Sequence, residues 1–291
     1  MLDYKKCEVF ATIAEEKNLT KAAEILGYTQ PGISNILRSM EEETGFPLFI
    51  RHHSGMTLTK DAEVLLPRVL AILAAFRSAD QTIDSINGIN EGHISVGSYS
   101  SMSISFLTKW IEGFSQEFPN ITFSIIEGGY KELENALDSY TIDLALMSRQ
   151  PWHNYDWTHI MNDPILAVLP ADSNFKKNYV NLKDFHNKPL IYHSEGSDPD
   201  AEKIFEEFRE MNIEPIYQYR IFFDRTMMSM IEHHLGFGII PELVTRHYYG
   251  ELKRLPFRPA LSRELGIATL PNVTQSPVVK LFIKYCVEHI E

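Results

Sequence analysis

Between Thr29 and Arg38 the chain places Gln30, Ser34, Asn35 and Arg38 at helical spacing around an apolar stripe of Ile33, Ile36, Leu37 and Met40. No acid falls between Ile25 and Met40. Gln and Asn amides pair two-pronged with adenine, Arg with guanine or phosphate, and Ser with either, so this face carries the chemistry of base-edge and backbone reading. On the face alone, a merely solvated surface is an equal alternative. A second basic group follows at once. Arg51, His52 and His53 sit at a Gly-containing tip between two short apolar runs, Phe46 to Ile50 and Met56 to Leu58, a pattern that predicts a two-stranded wing. Arg51 and His52 would reach phosphate or the minor groove, with Lys60 a further backbone contact. No third ligand stands near the two histidines, so a metal is not expected.

The elements that must position these groups are short. Thr20 is expected to cap a first helix whose apolar positions Ala22, Ala23, Ile25 and Leu26 stop at Gly27. Thr29 caps the second, with Pro31 in its first turn, where the missing N–H costs nothing, and Gly45 ends it after Thr44. Gly32 is expected to let the helix start approach another backbone. Beyond the wing, Leu65, Val69, Ile72, Phe76, Ala79, Ile83 and Ile86 step by four and three residues, a heptad seam that asks for a second helix of its own kind. Packing of the same stripe on the chain's own body is the competing reading. Pro67 is expected to loosen the first turns.

From Gly92 on the pattern becomes α/β, with apolar strands at 94–97, 121–126, 144–147, 164–170, 189–192, 216–220 and 236–241, and a last helix from about Ser276. In such sheets ligands sit beyond the carboxyl ends of the strands. Ser98, Tyr99, Ser100 and Ser101 follow the first strand, Gly128 and Gly129 the second, and Ser194 and Ser197 precede a helix. Phe222, Phe223, Asp224, Arg225 and Thr226 open another helix that would close the far wall. These hydroxyls and amides suit a carboxylate or similar anion, which Arg149 or Arg225 would neutralise unless engaged in surface salt bridges. Glu127 reads as structural, and Met227, Met228 and Met230 read as core rather than as a metal site.

The residues Asn18, Leu19, Thr20, Ala22, Ala23, Leu26, Tyr28, Thr29, Gln30, Pro31, Ser34, Arg38, Glu41, Glu42, Gly45, Leu48, Phe49, Arg51, Leu58 and Thr59 together resemble the winged helix-turn-helix signature of LysR-type transcriptional regulators. The match runs through the first sixty or so residues without a gap, departing at Gly32, where Ala is common, and at Asp61, where a small residue is usual. The resemblance implies a multidomain chain. Its parts would be an N-terminal all-α winged helix-turn-helix (1–59) and a linker helix for dimerisation (60–88). An α/β two-subdomain effector domain (92–291) resembling periplasmic solute-binding proteins would follow. Subdomain I would hold about 92–162 and 268–291, and subdomain II about 163–267. It further implies antiparallel pairing of linker helices into a homodimer, assembling further into a homotetramer as a dimer of dimers. The other partners would be double-stranded operator DNA, a small-molecule effector and RNA polymerase.

Composition restricts the alternatives. A net charge of −12 over 291 residues excludes indiscriminate coating of DNA. Residues 1–88 hold nine Lys and Arg against twelve Asp and Glu, a balance of −3 that leaves −9 to the remainder. Specific binding must rest on local cations near Lys21, Arg38, Arg51 and Lys60, multiplied by oligomerisation. Cys7 and Cys286, the two cysteines, have no CxxC or CxxH partner, so neither a disulfide nor a zinc site is expected, nor any cofactor beyond an unidentified effector. With no signal segment or bilayer-length apolar run, a cytoplasmic location without membrane contact is expected, and the Asn-x-Thr triplets at Asn18, Asn120 and Asn272 are coincidence. No Ser-His-Asp, HExxH, GxxxxGK or GxGxxG constellation is recognisable, which argues against an enzyme. The alternatives left open are a solute-binding or enzymatic two-subdomain protein with an appended DNA-binding head, and an architectural DNA-binding dimer without effector.

Overall fold

The computed structural model describes residues 2–53, 55–86, 91–193, 198–271 and 273–290. They form two compact units, one of residues 1–91 with 138–141 and 273–277, the other of 92–137, 142–272 and 278–291.

The first unit begins with α1 (Tyr4–Glu16), capped by the Asp3 carboxylate on Lys6 N–H at 2.9 Å. In α2 (Leu19–Ile25) the cap is Asn18 rather than the expected Thr20. The Asn18 side-chain oxygen accepts from both Thr20 N–H and Lys21 N–H, at 2.9 and 3.1 Å, satisfying two free donors, one of them the amide of Thr20 itself. Gly27, at φ +69°, follows. α3 (Gln30–Thr44) starts as expected, Thr29 Oγ1 accepting from Gly32 N–H at 3.2 Å, and ends at Gly45 with φ +80°. A side chain on Gly32 would meet only Thr29 Oγ1, so the glycine makes room for its own cap and not for a second backbone. Phe10, Ile13, Ala22, Ile33, Leu37 and Met40 form the shared core.

β1 (Phe49–His52) and β2 (Gly55–Leu58) pair antiparallel as the wing, Arg51 opposite Met56. Met56 N–H donates to Lys17 C=O at 2.8 Å, and a Cβ on Gly55, whose φ is +139°, would lie 2.5 Å from that oxygen. The wing is sewn to the end of α1 by a contact only glycine permits. α4 (Lys60–Ile86) then carries Pro67 within its span. Its first half belongs to the head, with Ala62, Val69 and Leu73 buried and Leu65 and Leu66 packed beside them. This removes Val69 and Leu65 from the expected seam, because Val69 is buried in the head's own core, where α1 packs on α4, and Leu65 packs beside that core. Ile72, Phe76, Ala79 and Ile83 stay exposed, Phe76 at 47 % with its ring edge to face with Tyr4 at 5.2 Å. The Ile86 side chain lies outside the described residues.

The second unit runs β3 (Gly92–Ser98), α5 (Ser100–Met102), which continues through a π turn at Ser103–Leu107 into α6 (Thr108–Glu117), β4 (Ile121–Glu127), α7 (Tyr130–Asp138), β5 (Leu144–Ser148) and β6 (Asp156–Pro170). It continues with β7 (Pro189–His193), α8 (Pro199–Glu210), β8 (Ile216–Ile221), α9 (Asp224–Glu232), β9 (Gly238–Pro241), α10 (Glu242–Thr245), β10 (Leu252–Thr269) and α11 (Pro277–Glu288). Six strands share one sheet in the order β4-β3-β5-β10-β6-β9, and β7 pairs with β8 in a parallel ribbon. β3 is parallel to β4 and β5, while β10 runs antiparallel to β5 and to β6. Trp110, Phe114 and Phe282 pack one end, and Phe185, Phe208 and Phe257 the other. β10 and the first half of β6 escape the apolar pattern because they alternate charged and apolar residues, with Pro256 and Pro259 interrupting. They are nonetheless the long crossing pair. Their register places Arg263 opposite Asp163.

Candidate DNA-reading face and effector cavity

α3 presents Gln30, Pro31, Asn35 and Arg38 to solvent, with Thr29 exposed at its cap. Among the described residues, the Gln30, Asn35 and Arg38 side chains have no intramolecular partner, and Arg51 of the wing extends its guanidinium to Ser34 Oγ at 3.5 Å. Helix and wing thus meet at Ser34. Lys60 is exposed at the start of α4, and exposed His52 holds Thr57 Oγ1 through Nε2 at 3.0 Å across the wing. Lys21, counted among the local cations, is engaged with Glu16. The free positive charge of the face therefore comes from Arg38, Arg51 and Lys60.

The second unit has an open cleft of about 530 Å³ at the carboxyl ends of β3 and β4. Tyr99, Ser100, Ser101, Gly128, Gly129 and Phe223 line it as the sequence placed them, together with Phe222 and Asp224. Ser98 does not. It is fully buried and its hydroxyl donates to Tyr99 C=O at 2.9 Å, so it is spent on the backbone of the strand end and not on the cavity. Arg225 is exposed and absent from the walls, one position past Asp224 on α9 where the helix has turned away. Arg149 binds Glu264 at 3.4 Å instead of an anion. Ser194 and Ser197 lie outside the described residues.

The walls hold residues that sequence reading missed: Tyr130, Glu132, His193, Asp198, Val244 and Arg263, with Glu127 joining them. Asp198 had a local signal, since Asp-Pro-Asp is a helix start, and it caps α8 by accepting from Asp200 N–H and Ala201 N–H at 3.0 and 3.3 Å. Arg263 had none. Its Nε donates to Asp163 Oδ2 at 3.0 Å, Asp163 Oδ1 accepts from Leu243 N–H at 2.9 Å, and the guanidinium lies 5.5 Å from the Tyr99 ring centre. Tyr99 Oη and Gln150 Nε2 both reach Ser148 Oγ at 3.1 Å, and Gln150 continues to Asp200 Oδ1 at 2.9 Å. Burial, then the charges of Asp200 and Asp198, push the Tyr99 hydroxyl well above its ordinary range, so it is a neutral hydrogen-bonding group. Burial and the Asp200 charge likewise raise the Asp198 carboxyl.

His193 Nε2 meets Asp224 Oδ1 at 2.9 Å, tying β7 to the first residue of α9. Desolvation lowers this imidazole, but the Asp224 hydrogen bond and charge, with the Asp198 charge and a backbone hydrogen bond at Phe222, together outweigh it and the net shift is upward. The pair therefore stabilises fully below the ordinary histidine value of about 6.5, and the contribution is lost as pH rises through the raised folded-state value. Thermal midpoints scanned across that window should fall with rising pH, and His193→Gln should flatten the fall. An unchanged profile in the variant would show that the pair carries no charge in the fold.

Among the described residues there is no cluster of three metal-ligating side chains, and no helix is long and apolar enough to cross a membrane. A winged helix-turn-helix joined to an α/β domain with a ligand-sized cavity defines a DNA-binding regulator with an effector-binding domain. The family profile described as LysR substrate binding domain matches residues 87–291, and the one described as bacterial regulatory helix-turn-helix protein, lysR family, matches residues 4–63. The chain belongs to the LysR family of transcriptional regulators. It is 25 % identical over 290 residues to the uncharacterized HTH-type transcriptional regulator YybE of Bacillus subtilis (strain 168), covering 99 % of each. The fold is shared with full-length CbnR in complex with its target DNA, at a TM-score of 0.67, 19 % identity and 100 % of both chains. It is shared also with the effector-binding domain of QuiR in complex with shikimate, at a TM-score of 0.62 and 22 % identity over 68 % of this chain and 97 % of that one.

Proposed function

We propose that this regulator binds an inverted-repeat operator as a homodimer or dimer of dimers, and that occupancy of the 530 Å³ cavity by a small molecule sets its operator affinity. One observation carries the reading: Gln30, Asn35 and Arg38 stand exposed and unpaired on one face of α3 beside Arg51 of the wing. CbnR, of the same fold, is known in complex with its target DNA. Coupling between cavity and operator is reciprocal, so operator binding must also change effector affinity. A regulatory rather than enzymatic role, the domain organisation (1–59, 60–88, 92–291) and cytoplasmic placement are part of this proposal.

The dimer is assigned to the exposed remnant of the α4 stripe, Ile72, Phe76 and Ile83, which are 39, 47 and 54 % exposed. Such a stripe is covered in a paired helix. The test is in vitro selection of random duplexes by the full-length protein, followed by footprinting of the enriched sequence. Enrichment of an inverted repeat with two protected half-sites, sharply weakened by salt, is the expected result. Failure to enrich any motif overturns the DNA assignment. Phe76→Glu should sediment as monomer and lose the second half-site, whereas intact dimers of the variant would overturn the seam.

A further inference from the structure

Away from the cleft beyond β3 and β4, the second unit holds another pocket of about 420 Å³, and the two linings share no residue. Its floor is apolar: Leu169, Val180 and Phe185 are buried, with Phe175 and Phe237 half-buried beside them. One wall, from Ser173 to Phe175, has no helix or strand of its own, so side-chain ties hold it. Lys253 of β10, 80 and 78 positions away, donates its ammonium to Ser173 C=O at 3.5 Å and to Phe175 C=O at 2.5 Å. Lys177 clasps both Asp184 oxygens at 3.0 and 3.3 Å, and Val180 N–H donates to Pro256 C=O at 2.9 Å. Long-range ties of this kind make the pocket part of the fold rather than a gap between loops.

The polar groups of the lining are unequally engaged. Asp184 is spent, since it accepts from Asn181 N–H at 2.9 Å in addition to binding Lys177. Lys188 is not: among the described residues its ammonium has neither a hydrogen bond nor a carboxylate partner, and the Ser173 hydroxyl and Asn174 amide make no hydrogen bond. Half-buried Lys253, behind the wall, meets only carbonyl oxygens, so its charge too lacks a carboxylate counterpart among the described residues. The surroundings have the same sign. Residues 173–190 contain four Lys against Asp184 alone, in a chain whose net charge is −12. A cation and two neutral donors above a phenyl-lined floor fit a ligand with a carboxylate at one end and a ring at the other. The volume is that of a small-molecule site.

We propose that this pocket is a second ligand site, separate from the cleft, for an organic carboxylate with a body of one or two rings. Lys188, Ser173 and Asn174 hold the carboxylate, and Phe175 and Phe237 cover the rings. The assignment does not depend on the cleft being the effector site. Lys188 immediately precedes β7, and His193, the last residue of that strand, lines the cleft, so one strand joins the two sites.

The test uses the full-length protein and 4-benzoylbenzoate, a two-ring carboxylate whose ketone cross-links to neighbouring C–H bonds under near-ultraviolet light. Peptide mass mapping of the labelled wild-type chain should place the label within 169–188 or at Phe237. By calorimetry, the neutral 4-benzoylbenzamide and the cationic 4-benzoylbenzylammonium should bind about tenfold more weakly, the worth of one hydrogen bond between charged partners. Lys188→Met should cost the carboxylate the same factor while leaving the thermal midpoint in place. Ser100→Trp, which crowds the cleft, should leave the affinity unchanged, whereas Ser173→Trp, in the wall of the second pocket, should abolish it. Equal binding of the amide overturns the proposal, as does absence of binding or a label confined to cleft residues such as Tyr130 and Phe223. Binding lost in Ser100→Trp and kept in Ser173→Trp also overturns the second site, and leaves the effector reading of the cleft intact.

Discussion

Asp163→Ala should lower the unfolding free energy of the effector domain by about 3–5 kcal/mol, the usual cost of stripping one partner from a buried ion pair. Asp163 is fully buried on β6, and Arg263, its cross-strand neighbour on β10, is 7 % exposed. The carboxylate does three things at once. It neutralises the guanidinium, accepts from Arg263 Nε at 3.0 Å, and satisfies Leu243 N–H at the start of α10 at 2.9 Å. Alanine leaves a charge without a counterion and an amide without an acceptor, each in a place water reaches poorly. The Coulomb gain of the pair against its desolvation is near balance, so the paired replacement Asp163→Leu with Arg263→Met should recover most of the loss. Urea denaturation followed by effector-domain tryptophan fluorescence measures both. A single-variant loss below about 1 kcal/mol would show that the pair is dispensable to the crossing strands.

Arg38→Ala should cost operator affinity about 1–3 kcal/mol for each copy that reads a half-site, the range for a two-pronged base contact. For a dimer engaging two half-sites this is a loss of about two to four orders of magnitude in affinity. Arg38 is exposed on α3 and makes no intramolecular hydrogen bond or ion pair among the described residues, so no polar contact in the fold depends on it. The helix should keep its stability, since Ala is the better helix former and Thr29, Pro31 and Gly45 still set both ends. Titration of the selected duplex at two salt concentrations distinguishes the two roles Arg can play. Relaxed preference at one base position marks a base contact, whereas uniform weakening with a shallower salt slope marks a phosphate contact. Unchanged affinity in both conditions would remove α3 from the DNA interface.

The DNA-reading face was legible because everything that defines it is local. Pro31, the Ile33 to Met40 stripe and Gly45 lie within one helix length, and the free face is whatever that stripe leaves over. The same local rules misplaced the α2 cap by two residues, since Asn18 and Thr20 are both good caps and only the backbone geometry chooses between them. The heptad on α4 was equally visible but only half free. Periodicity shows that a stripe must be buried, and not by what: α1 covers Val69 and Leu73, while Ile72, Phe76 and Ile83 wait for another surface.

The cavity divides along the same line. Tyr99, Ser100, Ser101, Gly128 and Gly129 follow directly from the rule that ligands sit past strand ends, and their sequence neighbours mark those ends. By itself, then, the chain's order of residues determined a winged reading head, a helix in need of a partner, and an α/β domain with a site beyond β3 and β4. Only the tertiary structure decided the character of that site. Asp163 and Arg263 are a hundred positions apart, and it is the register of β6 against β10 that sets that carboxylate against the guanidinium on the cavity wall. Hydrophobic periodicity repeats every two to four residues and can be read within a single element, but the net charge of a cavity is a sum over side chains that only long-range pairing brings together.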